Sequence, residues 1–360
     1  MLLINLMSSD AIVSSAVAFL SLLPQELAQL ILRQGWPLYR ADQLRNWVYQ
    51  RLVPVAGEMT TFSAADRMRL AGLLDFAPGK TVRRQTSVDG TEKLLIEWPD
   101  GAMAETVLIP DDARRTACVS SQVGCPVGCR FCASGMKGLQ ANLSAGQIVE
   151  QIFWLNTLLK PAGERITNVV FMGMGEPLAN YANVMKAIRI LHDPGCFNLG
   201  ARRITVSTVG VPQRIIDLAG EELPVNLAIS LHAPNETMRK QLIPWAERFA
   251  LDDILNAAQS YFDRTGREIT LEYILLAGVN DRPEHARELA RVCNRLRANV
   301  NLIYYNEVEG IEFRRPASAD VLAFQQTLRW AGVNAHIRKS RGREIDAACG
   351  QLRRKHEAGE

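Results

Sequence analysis

The spacing of apolar residues changes twice along the chain, and each change marks a predicted boundary. From residue 23 to about residue 79, apolar residues recur at helical spacing, as in LPQELAQLILRQG and ADQLRNWVYQRLV, and predict a small helical accessory domain. Residues 80–115 change to an alternating pattern that carries two Asp-Gly turn signals. This pattern predicts a β-rich connecting segment.

From residue 116 to about residue 340, short apolar runs alternate with longer helical segments, the pattern of βα units around a parallel sheet. About six such repeats are too few for the eight of a closed barrel. We therefore predict an α/β fold, a partial (β/α)6 barrel, with ligand sites at the carboxyl ends of its strands. The candidate strands are TACVSS, NVVFMG, RITVST, VNLAISLH, ITLEYILL, NLIYY and NAHIRK, and the helical patterns include 144–159, 181–192, 251–264, 284–298 and 318–331.

The two ends of the chain lie outside these patterns. Residues 1–22 are interpreted as an N-terminal extension without an assigned function, and residues 341–360 as a C-terminal tail. The first apolar stretch lacks a basic region and is interrupted by serines before Pro24, so it resembles neither a signal peptide nor a transmembrane helix. We expect a cytoplasmic protein without a membrane segment.

Composition narrows the function classes. The chain has 360 residues, of which 48% are hydrophobic and 22% charged, and its formal net charge is only +3. Such a chain can bury a large core but has no polycationic tail, so any nucleic acid must be held by a local patch. Seven cysteines without an export signal favour a reducing compartment, where clustered thiols more often bind metal or perform redox chemistry than cross-link a fold.

Three of the cysteines are closely spaced in the stretch GCPVGCRFCASG, directly after the first barrel strand. Cys125, Cys129 and Cys132 form a C-x₃-C-x₂-C array, and three thiolates can bind three irons of a [4Fe–4S] cubane and leave the fourth open. The alternative is a structural zinc site, which would need a fourth protein ligand from elsewhere. The array resembles the signature of the radical S-adenosylmethionine (SAM) superfamily, in which SAM chelates the open iron.

Polar residues follow several of the other predicted strands. The run GMGEP, with Gly175 and Glu176, follows the second barrel strand, where a tight turn and a SAM-binding motif are both possible interpretations. Ser207 ends the third strand, and Ser230, Leu231 and His232 end the fourth. These polar side chains could reach a ligand at the strand ends, although His232 could equally be a buried, hydrogen-bonded core residue.

Two further cysteines stand apart from this array. Cys118 lies on the first barrel strand, and Cys349 lies in REIDAACGQL near the C-terminus. Positive charge near a thiol favours the thiolate, but a buried small residue at a helix end remains an alternative for Cys349. The basic residues around Cys349 are Arg338, Lys339, Arg341, Arg343, Arg353, Arg354 and Lys355.

Taken in order, these segments resemble those of one known family, the dual-specificity RNA adenine-C2 methyltransferases (RlmN), with the C8-methylating Cfr enzymes as relatives. The resemblance runs from about Leu23 to Leu352. The matching segments are YRADQLRNWVY, AETVLIP, TACVSSQVGCPVGCRFCASG, ITNVVFMGMGEPLAN, RRITVSTVG, NLAISLHAPN, NLIYYN and RGREIDAACGQL.

The resemblance implies a partial βα barrel with an N-terminal accessory domain that we expect to bind RNA. It implies a reaction that uses two SAM molecules and methylates carbon 2 of adenosine in 23S rRNA and in tRNA. Cys349 would carry the methyl group as S-methylcysteine, Cys118 would be the resolving thiol, and Glu105 would accept a proton. The implied SAM contacts are Gly175, Glu176, Ser207, Ser230, Leu231, His232 and Asn306.

Other partners and rival functions complete these expectations. The resemblance implies a one-electron donor such as flavodoxin with its reductase, and we expect a monomer. Pairs of arginines at 114–115, 202–203 and 314–315 could contact phosphates, although each pair alone is typical of a solvated loop. The rival functions are C8 methylation of rRNA adenosine and a non-catalytic RNA-binding protein stabilised by zinc.

Overall fold

The computed structural model describes residues 16–352. Its N-terminal part is the expected small helical domain, in which a pair of two-residue parallel strands joins the two ends. Helix α1 begins at Pro24, and the Glu26 carboxylate accepts a hydrogen bond from the Leu23 amide at 2.7 Å, which satisfies one of the free amides at the helix start. The elements are β1 (Val17–Ala18), α1 (Pro24–Arg33), α2 (Tyr39–Arg45), α3 (Ala64–Leu73) and β2 (Leu74–Asp75).

Residues 17–21 belong to this domain, although we expected an extension up to residue 22. Phe19 is 1% exposed, and its ring centroid lies 5.7 Å from that of Tyr49 and 5.2 Å from that of Phe76. The apolar side chains in this segment therefore contribute to the core of the domain. The rest of the expected extension, residues 1–15, lies outside the described residues.

The connecting segment is β-rich, as expected, and it extends the sheet of the barrel. Its strands pair antiparallel in chain order, and the last of them, β6, also pairs in parallel with the next barrel strand. Gly90 and Gly101, the glycines of the two Asp-Gly signals, have φ of +80° and +79°, the region that such hairpin turns require. The strands are β3 (Lys80–Thr86), β4 (Glu92–Glu97), β5 (Met103–Asp111) and β6 (Arg114–Cys118).

A short hairpin then separates β6 from the first barrel helix. Strands β7 (Gln122–Gly124) and β8 (Leu139–Asn142) pair antiparallel, and the three-cysteine segment is the loop between them. This hairpin places that loop at the carboxyl end of β6, at the edge of the sheet where βα folds bind ligands.

The expected partial barrel is confirmed. Seven parallel strands, β6 and β9 to β14, follow one another in chain order, and in the described part of the chain β6 and β14 do not pair with each other. The further strands are β9 (Asn168–Phe171), β10 (Ile204–Thr208), β11 (Asn226–Ser230), β12 (Ile269–Leu275), β13 (Ala298–Tyr304) and β14 (Ala335–Arg338). The helices are α4 (Ala145–Leu159), α5 (Tyr181–His192), α6 (Pro212–Ala219), α7 (Glu236–Leu242), α8 (Leu251–Thr265), α9 (Pro283–Cys293) and α10 (Ser318–Trp330).

One helix is shorter than its pattern predicts. The apolar spacing extends the helix over 284–298, but α9 ends at Cys293 with Asn294 as its C-cap. Ala298 already belongs to β13 and pairs with Ile269 of β12. Asn is a poor helix-interior residue, and the strand pairing therefore determines the last residues of this segment.

The buried apolar residues form two clusters. The larger one fills the accessory domain and the space between the sheet and its helices. The smaller one contains Val127, Phe131, Ile243 and Leu276, with the three cysteines of the β7–β8 loop packed against it. Among the described residues, no helix is long and apolar enough to cross a membrane.

Candidate active site

The β7–β8 loop places its three thiols along one cavity. The Cys125 amide donates to Gly138 O at 3.1 Å, and the Cys132 amide donates to Cys129 O at 3.1 Å. Gly124 permits this closure, because a Cβ atom there would lie 2.0 Å from Gly138 O. All three cysteines line a cavity of about 140 Å³, which we call the three-cysteine cavity.

Burial determines the protonation of these thiols. It raises the pKa of Cys125 to about 12 and also raises the pKa values of Cys129 and Cys132, so the metal-free thiols are protonated at neutral pH. Within the described residues, no group of three His, Cys, Asp or Glu side chains is arranged to hold a single metal ion. A cubane, in contrast, distributes its thiolates over separate irons, and three thiols along one cavity wall suit that donor set.

The GMGEP turn forms a second wall of the three-cysteine cavity. Gly175 has φ of +106°, and a Cβ atom there would lie 2.6 Å from Gln122 Cβ. The Glu176 carboxylate is buried and accepts hydrogen bonds at 2.9 Å from the amides of Leu178 and Val209. Burial raises its pKa above the usual value although these hydrogen bonds oppose the shift. The turn therefore fixes a carboxylate at the cavity, where a ligand ammonium group could bind.

The serines expected at two strand ends also line this cavity. Ser207 Oγ and Ser230 Oγ lie 3.2 Å apart across β10 and β11. Each hydroxyl can still bond to a second partner, so the pair can contact a ligand that enters the cavity.

His232 is both a core residue and a cavity residue. Its Nδ1 accepts a hydrogen bond from the Ile274 amide at 3.1 Å, and its ring packs edge-on against Phe131. Burial and nearby Arg239 lower its pKa to about 3, so the imidazole is neutral and carries its proton on Nε2. It is therefore available as a neutral donor at the cavity.

Two other expected SAM contacts lie apart from this cavity. Leu231 is buried in the large core, and its amide donates to Glu272 O at 3.0 Å. Asn306 lines a neighbouring cavity, where its Nδ2 donates to Cys349 O at 3.3 Å. Its buried Oδ1 has no hydrogen-bond partner among the described residues, so it can accept a hydrogen bond from a ligand.

The neighbouring cavity, of about 530 Å³, brings together Cys118 and Cys349, and we call it the two-cysteine cavity. Cys118 comes from β6, whereas Cys349 lies in a turn of the tail rather than at the end of a helix. Burial and the nearby Cys349 raise the pKa of Cys118 to about 12, although Arg338 opposes the shift. Cys349 also lines the three-cysteine cavity, so this thiol contacts both.

Arg338 is a functional candidate that the sequence showed only as part of a basic run. It lies at the carboxyl end of β14 and lines both cavities. Its Nη1 donates to Met172 Sδ at 3.5 Å and lies 4.0 Å from Glu272 Oε2. The charges of Cys349, Glu272 and Cys118 raise its pKa against the effect of burial. Its position at the end of a predicted strand could have identified it from the sequence, because the active sites of βα barrels form at the carboxyl ends of their strands.

The cysteine loop fixes one side of the tail. The Ala133 amide donates to Gly350 O at 2.8 Å, and Ser134 Oγ donates to Leu352 O at 2.7 Å. These bonds bracket Cys349 on its C-terminal side and attach it to the segment that carries Cys132.

The turn between β3 and β4 fixes the other side of the tail. The Glu344 carboxylate accepts hydrogen bonds from Ser87 Oγ and, at 2.9 Å, from the Val88 amide. Asp89 accepts a bond from the Gly342 amide at 3.0 Å, and Lys93 Nζ donates to Asp346 O at 3.1 Å. We call these contacts the hairpin clamp, and they bracket Cys349 on its N-terminal side.

Glu105 contacts Lys93 of the hairpin clamp and lines neither of the two cavities. It is 3% exposed, and its carboxylate forms an ion pair with Lys93 at 3.0 Å. In the β5–β6 pairing, Val107 lies opposite Cys118, and Glu105 is two residues from Val107, so Glu105 shares the face of Cys118. The Glu105 side chain therefore points into the protein and away from solvent.

The arginine pairs and the basic residues around Cys349 are divided among several surroundings. Arg115 pairs with Glu164 at 2.6 Å, and Arg315 stacks 4.2 Å above the Tyr304 ring. Arg353, Arg354 and Lys355 lie outside the described residues. The cations that line the two-cysteine cavity are Arg114, Arg203, Arg338, Lys339 and Arg341.

Family models match two parts of the chain. Residues 17–75 match the ribosomal RNA large subunit methyltransferase N-terminal domain, and residues 119–290 match the radical SAM superfamily. The first match covers the helical domain, and the second covers the cysteine loop with most of the barrel.

Whole-chain relatives agree with these matches. A probable dual-specificity RNA methyltransferase RlmN from Gloeobacter violaceus is 45% identical over 93% of this chain and 95% of its own length. A ribosomal RNA large subunit methyltransferase N from Nitrosopumilus maritimus is 45% identical over 92% of this chain and 97% of its own length.

A solved structure is similar over nearly the whole molecule. The crystal structure of a radical SAM methyltransferase from Sphaerobacter thermophilus is 44% identical, with a TM-score of 0.92, and the match covers 94% of this chain and 99% of that one. The family implies a [4Fe–4S] cluster and SAM as cofactors. The chain therefore belongs to the RlmN family of radical SAM methyltransferases.

Proposed function

We propose that the chain is a cytoplasmic, monomeric enzyme that methylates carbon 2 of adenosine in 23S rRNA and in tRNA. The proposal rests on one observation: Cys349 lines both the three-cysteine cavity and the two-cysteine cavity. A thiol in that position can receive a methyl group on one side and deliver it on the other. The names of the relatives, which are RNA methyltransferases, support RNA as the substrate.

The residues of the three-cysteine cavity suit the implied cofactors. Cys125, Cys129 and Cys132 would hold the cluster, and the buried Glu176 carboxylate would hold the SAM ammonium group. The other proposed SAM contacts in this cavity are Gly175, Ser207, Ser230 and His232. Leu231 and Asn306, which lie outside it, are also proposed SAM contacts. When bound, the cluster supplies the electron that cleaves SAM and so produces a radical able to remove hydrogen from a methyl group.

Two SAM molecules would serve each turnover. The Cys349 thiolate would attack the methyl carbon of one of them, which forms S-methylcysteine and breaks the bond from that carbon to the SAM sulfur, so that S-adenosylhomocysteine leaves. This step needs the Cys349 thiolate, and the Arg338 cation lines the same two cavities as Cys349. The methyl carbon, once activated, would bond to carbon 2 of the adenine, leaving the RNA attached to Cys349. The adduct must then give up its unpaired electron, for which the oxidised cluster would be the acceptor.

Cys118 would release the product. Its sulfur would form a bond with Cys349 sulfur while the bond between that sulfur and the transferred carbon breaks. The electron pair stays on the carbon side, where the carbon takes up a proton to complete the methyl group. An external dithiol would then reduce the disulfide. Because burial holds the pKa of Cys118 at about 12, its proton must leave as the attack begins, and Arg338 would stabilise the resulting thiolate.

Glu105 would accept the proton that carbon 2 loses. Its carboxylate shares the face of Cys118 and is paired with Lys93. Only an ionised carboxylate can take up a proton, and Lys93 Nζ lies 3.0 Å from Glu105 Oε1.

RNA would enter along the cationic lining of the two-cysteine cavity. A base must leave its stack before chemistry can occur on it, and arginine and lysine side chains there can hold the flanking phosphates. The accessory domain would add further RNA contacts. A flavoprotein of the flavodoxin type would supply the electron.

An anaerobic assay tests this function. Reconstituted protein is incubated with SAM, dithionite and either an rRNA fragment or a tRNA, and the digested nucleosides are compared chromatographically with authentic 2-methyladenosine and 8-methyladenosine. The proposal predicts 2-methyladenosine from both RNAs. Formation of 8-methyladenosine would contradict the carbon-2 assignment, and colourless, zinc-containing protein without activity would contradict catalysis altogether.

A further inference from the structure

A buried arginine lies behind the cysteine loop, outside the two cavities. Arg239 is on α7 and is 1% exposed. Its Nη2 donates to Val209 O, while Nε and Nη1 have no hydrogen-bond partner among the described residues. The side chain thus brings a cation and unused donors into the interior.

Such a group needs an anion nearby. Burying a charge or an unsatisfied donor costs free energy that only a partner can offset. The carboxylate of Glu236, on the same helix, is already engaged, because Oε2 accepts from the Leu251 amide at 2.8 Å and Oε1 lies 3.5 Å from Lys240 Nζ. Glu236 therefore does not satisfy the free nitrogens of Arg239.

The other negative group within electrostatic reach is the Cys129 thiol when ionised. The helix that carries Arg239 contacts the cysteine loop, because the amide of Arg130, next to Cys129, donates to Leu242 O at 3.0 Å. Val209, whose carbonyl accepts from Arg239, belongs to the small apolar cluster against which Cys129 packs. That cluster excludes water, so a hydrogen bond to sulfur there is electrostatically strong. An iron–sulfur cluster held by three thiolates is an anion that could satisfy the arginine.

We propose that the Arg239 guanidinium donates hydrogen bonds to the Cys129 thiolate and the adjoining cluster sulfide, and thereby makes the cluster easier to reduce. This inference rests on the proposed assignment of the cluster to Cys125, Cys129 and Cys132. One-electron reduction adds a negative charge, which a fixed cation stabilises more strongly than it stabilises the oxidised state. Hydrogen bonds to sulfur are among the factors that set such potentials.

The test measures the reduction potential directly. Wild type, Arg239→Met and Arg239→Lys are reconstituted without oxygen, assayed for iron, and titrated with dithionite while the reduced cluster is followed by electron paramagnetic resonance. Lys240→Met is the matched control, since it removes the same charge from the residue next to Arg239. Lys240 Nζ forms an exposed ion pair with Glu247 at 3.4 Å. Thermal unfolding of each metal-free protein shows whether the fold is intact.

We expect Arg239→Met to lower the reduction equilibrium constant about tenfold or more, which is about 59 mV for one electron. Arg239→Lys should shift it less, and Lys240→Met should match the wild type. Loss of iron in both Arg239 variants, with wild-type unfolding of the metal-free proteins, would also support contact with the cluster. Unchanged potentials in loaded Arg239→Met, or misfolding of both metal-free Arg239 variants, would overturn the inference. Iron-free wild type would instead contradict the proposed function.

Discussion

The three-cysteine cavity and the two-cysteine cavity share Cys349 but are built in different ways. The first is formed by a loop and strand ends that follow one another along the barrel, namely the β7–β8 loop, the GMGEP turn and the ends of β10 and β11. The second joins β6 to a tail from the far end of the chain, which the hairpin clamp and the cysteine loop hold in place. Cofactor positioning is therefore a local property of the barrel, whereas the thiol pair depends on long-range contacts.

This difference suggests separate sensitivities to mutation. Changes in the tail or the hairpin clamp should impair methyl transfer and leave cofactor binding intact. The variants below test that separation, from the largest expected effect to the smallest.

Cys349→Ala should have the largest effect. Without the thiol there is no methyl carrier, so methylation of RNA should fall by about 10³-fold or more, as for loss of a covalent nucleophile. The cluster and the reductive cleavage of SAM should remain. Methylated adenosine and 5′-deoxyadenosine are measured in the same reaction by mass spectrometry.

Cys293→Ala is the control for that variant, because Cys293 is a buried cysteine on α9 and lines neither cavity. It should retain activity. Substantial methylation by Cys349→Ala would remove the basis for the shared role of this thiol.

Cys118→Ala should allow the transfer to begin but not to finish. The RNA should stay covalently attached through Cys349, because the resolving thiol is missing. Labelled RNA should then migrate with the protein on a denaturing gel after incubation with SAM and reductant. Recovery of free RNA alone would count against Cys118 as the resolving thiol, and the double variant with Cys349→Ala should show no adduct.

Glu344→Ala should impair methyl transfer less than the cysteine variants do and should leave cofactor binding unchanged. It removes the contacts to Ser87 and Val88 that hold the tail, and misplacing a reacting group by about 1 Å can cost about 100-fold in rate. We expect kcat for methyl transfer to fall roughly 10- to 100-fold, with unchanged iron content.

The control is Glu92→Ala, which removes a carboxylate paired with Arg84 at 2.6 Å within the same hairpin. It should behave as wild type in both measurements. Equal losses of iron and of methyl transfer in Glu344→Ala would show that the cavities are not independent.

Asp89→Asn should have the smallest effect, visible in the pH dependence of stability. Burial alone would raise the pKa of Asp89, but bonds from Thr91 and Gly342 outweigh it and lower the pKa to about 2. A carboxyl group with a lowered pKa stabilises the fold fully at pH values above its ordinary pKa of 3.8. This contribution disappears as the pH falls towards 2. The loss at neutral pH should be about 1 kcal/mol after allowance for solvent screening.

Denaturant unfolding of the metal-free proteins at several pH values checks this result. The difference between Asp89→Asn and wild type should shrink as the pH falls from 4 towards 2. A difference that is constant with pH would show that the charge of Asp89 does not hold Gly342.

The same contrast explains what the sequence could predict. The βα alternation predicted the partial barrel, which the strand order confirms. The cysteine loop and the GMGEP turn were visible because each is continuous in sequence. The end of α9 at Cys293 was missed, because apolar spacing cannot reveal where strand pairing replaces the helix. The hairpin clamp was also invisible, since nothing in the spacing of Ser87, Asp89 and Lys93 connects them to the tail.

Charge partners were harder still to predict. Arg338 and Arg239 look like ordinary basic residues in sequence. Arg239 is distinguished by its burial and its unpaired nitrogens, and Arg338 by the two cavities that it lines. Glu105 was chosen through the resemblance, and its inward orientation and ion pair with Lys93 emerge only once β4, β5 and β6 are paired.

The central claim is that a methyl group passes through Cys349 on its way to RNA. The most direct measurement follows that group: anaerobic protein is loaded with methyl-labelled SAM, unbound SAM is replaced with unlabelled SAM, and RNA and reductant are added. Mass spectrometry of the Cys349 peptide and the nucleosides should show label first on Cys349 and then on carbon 2 of adenosine. Label that never reaches Cys349, or that stays there while unlabelled methyl groups reach the RNA, would contradict the account.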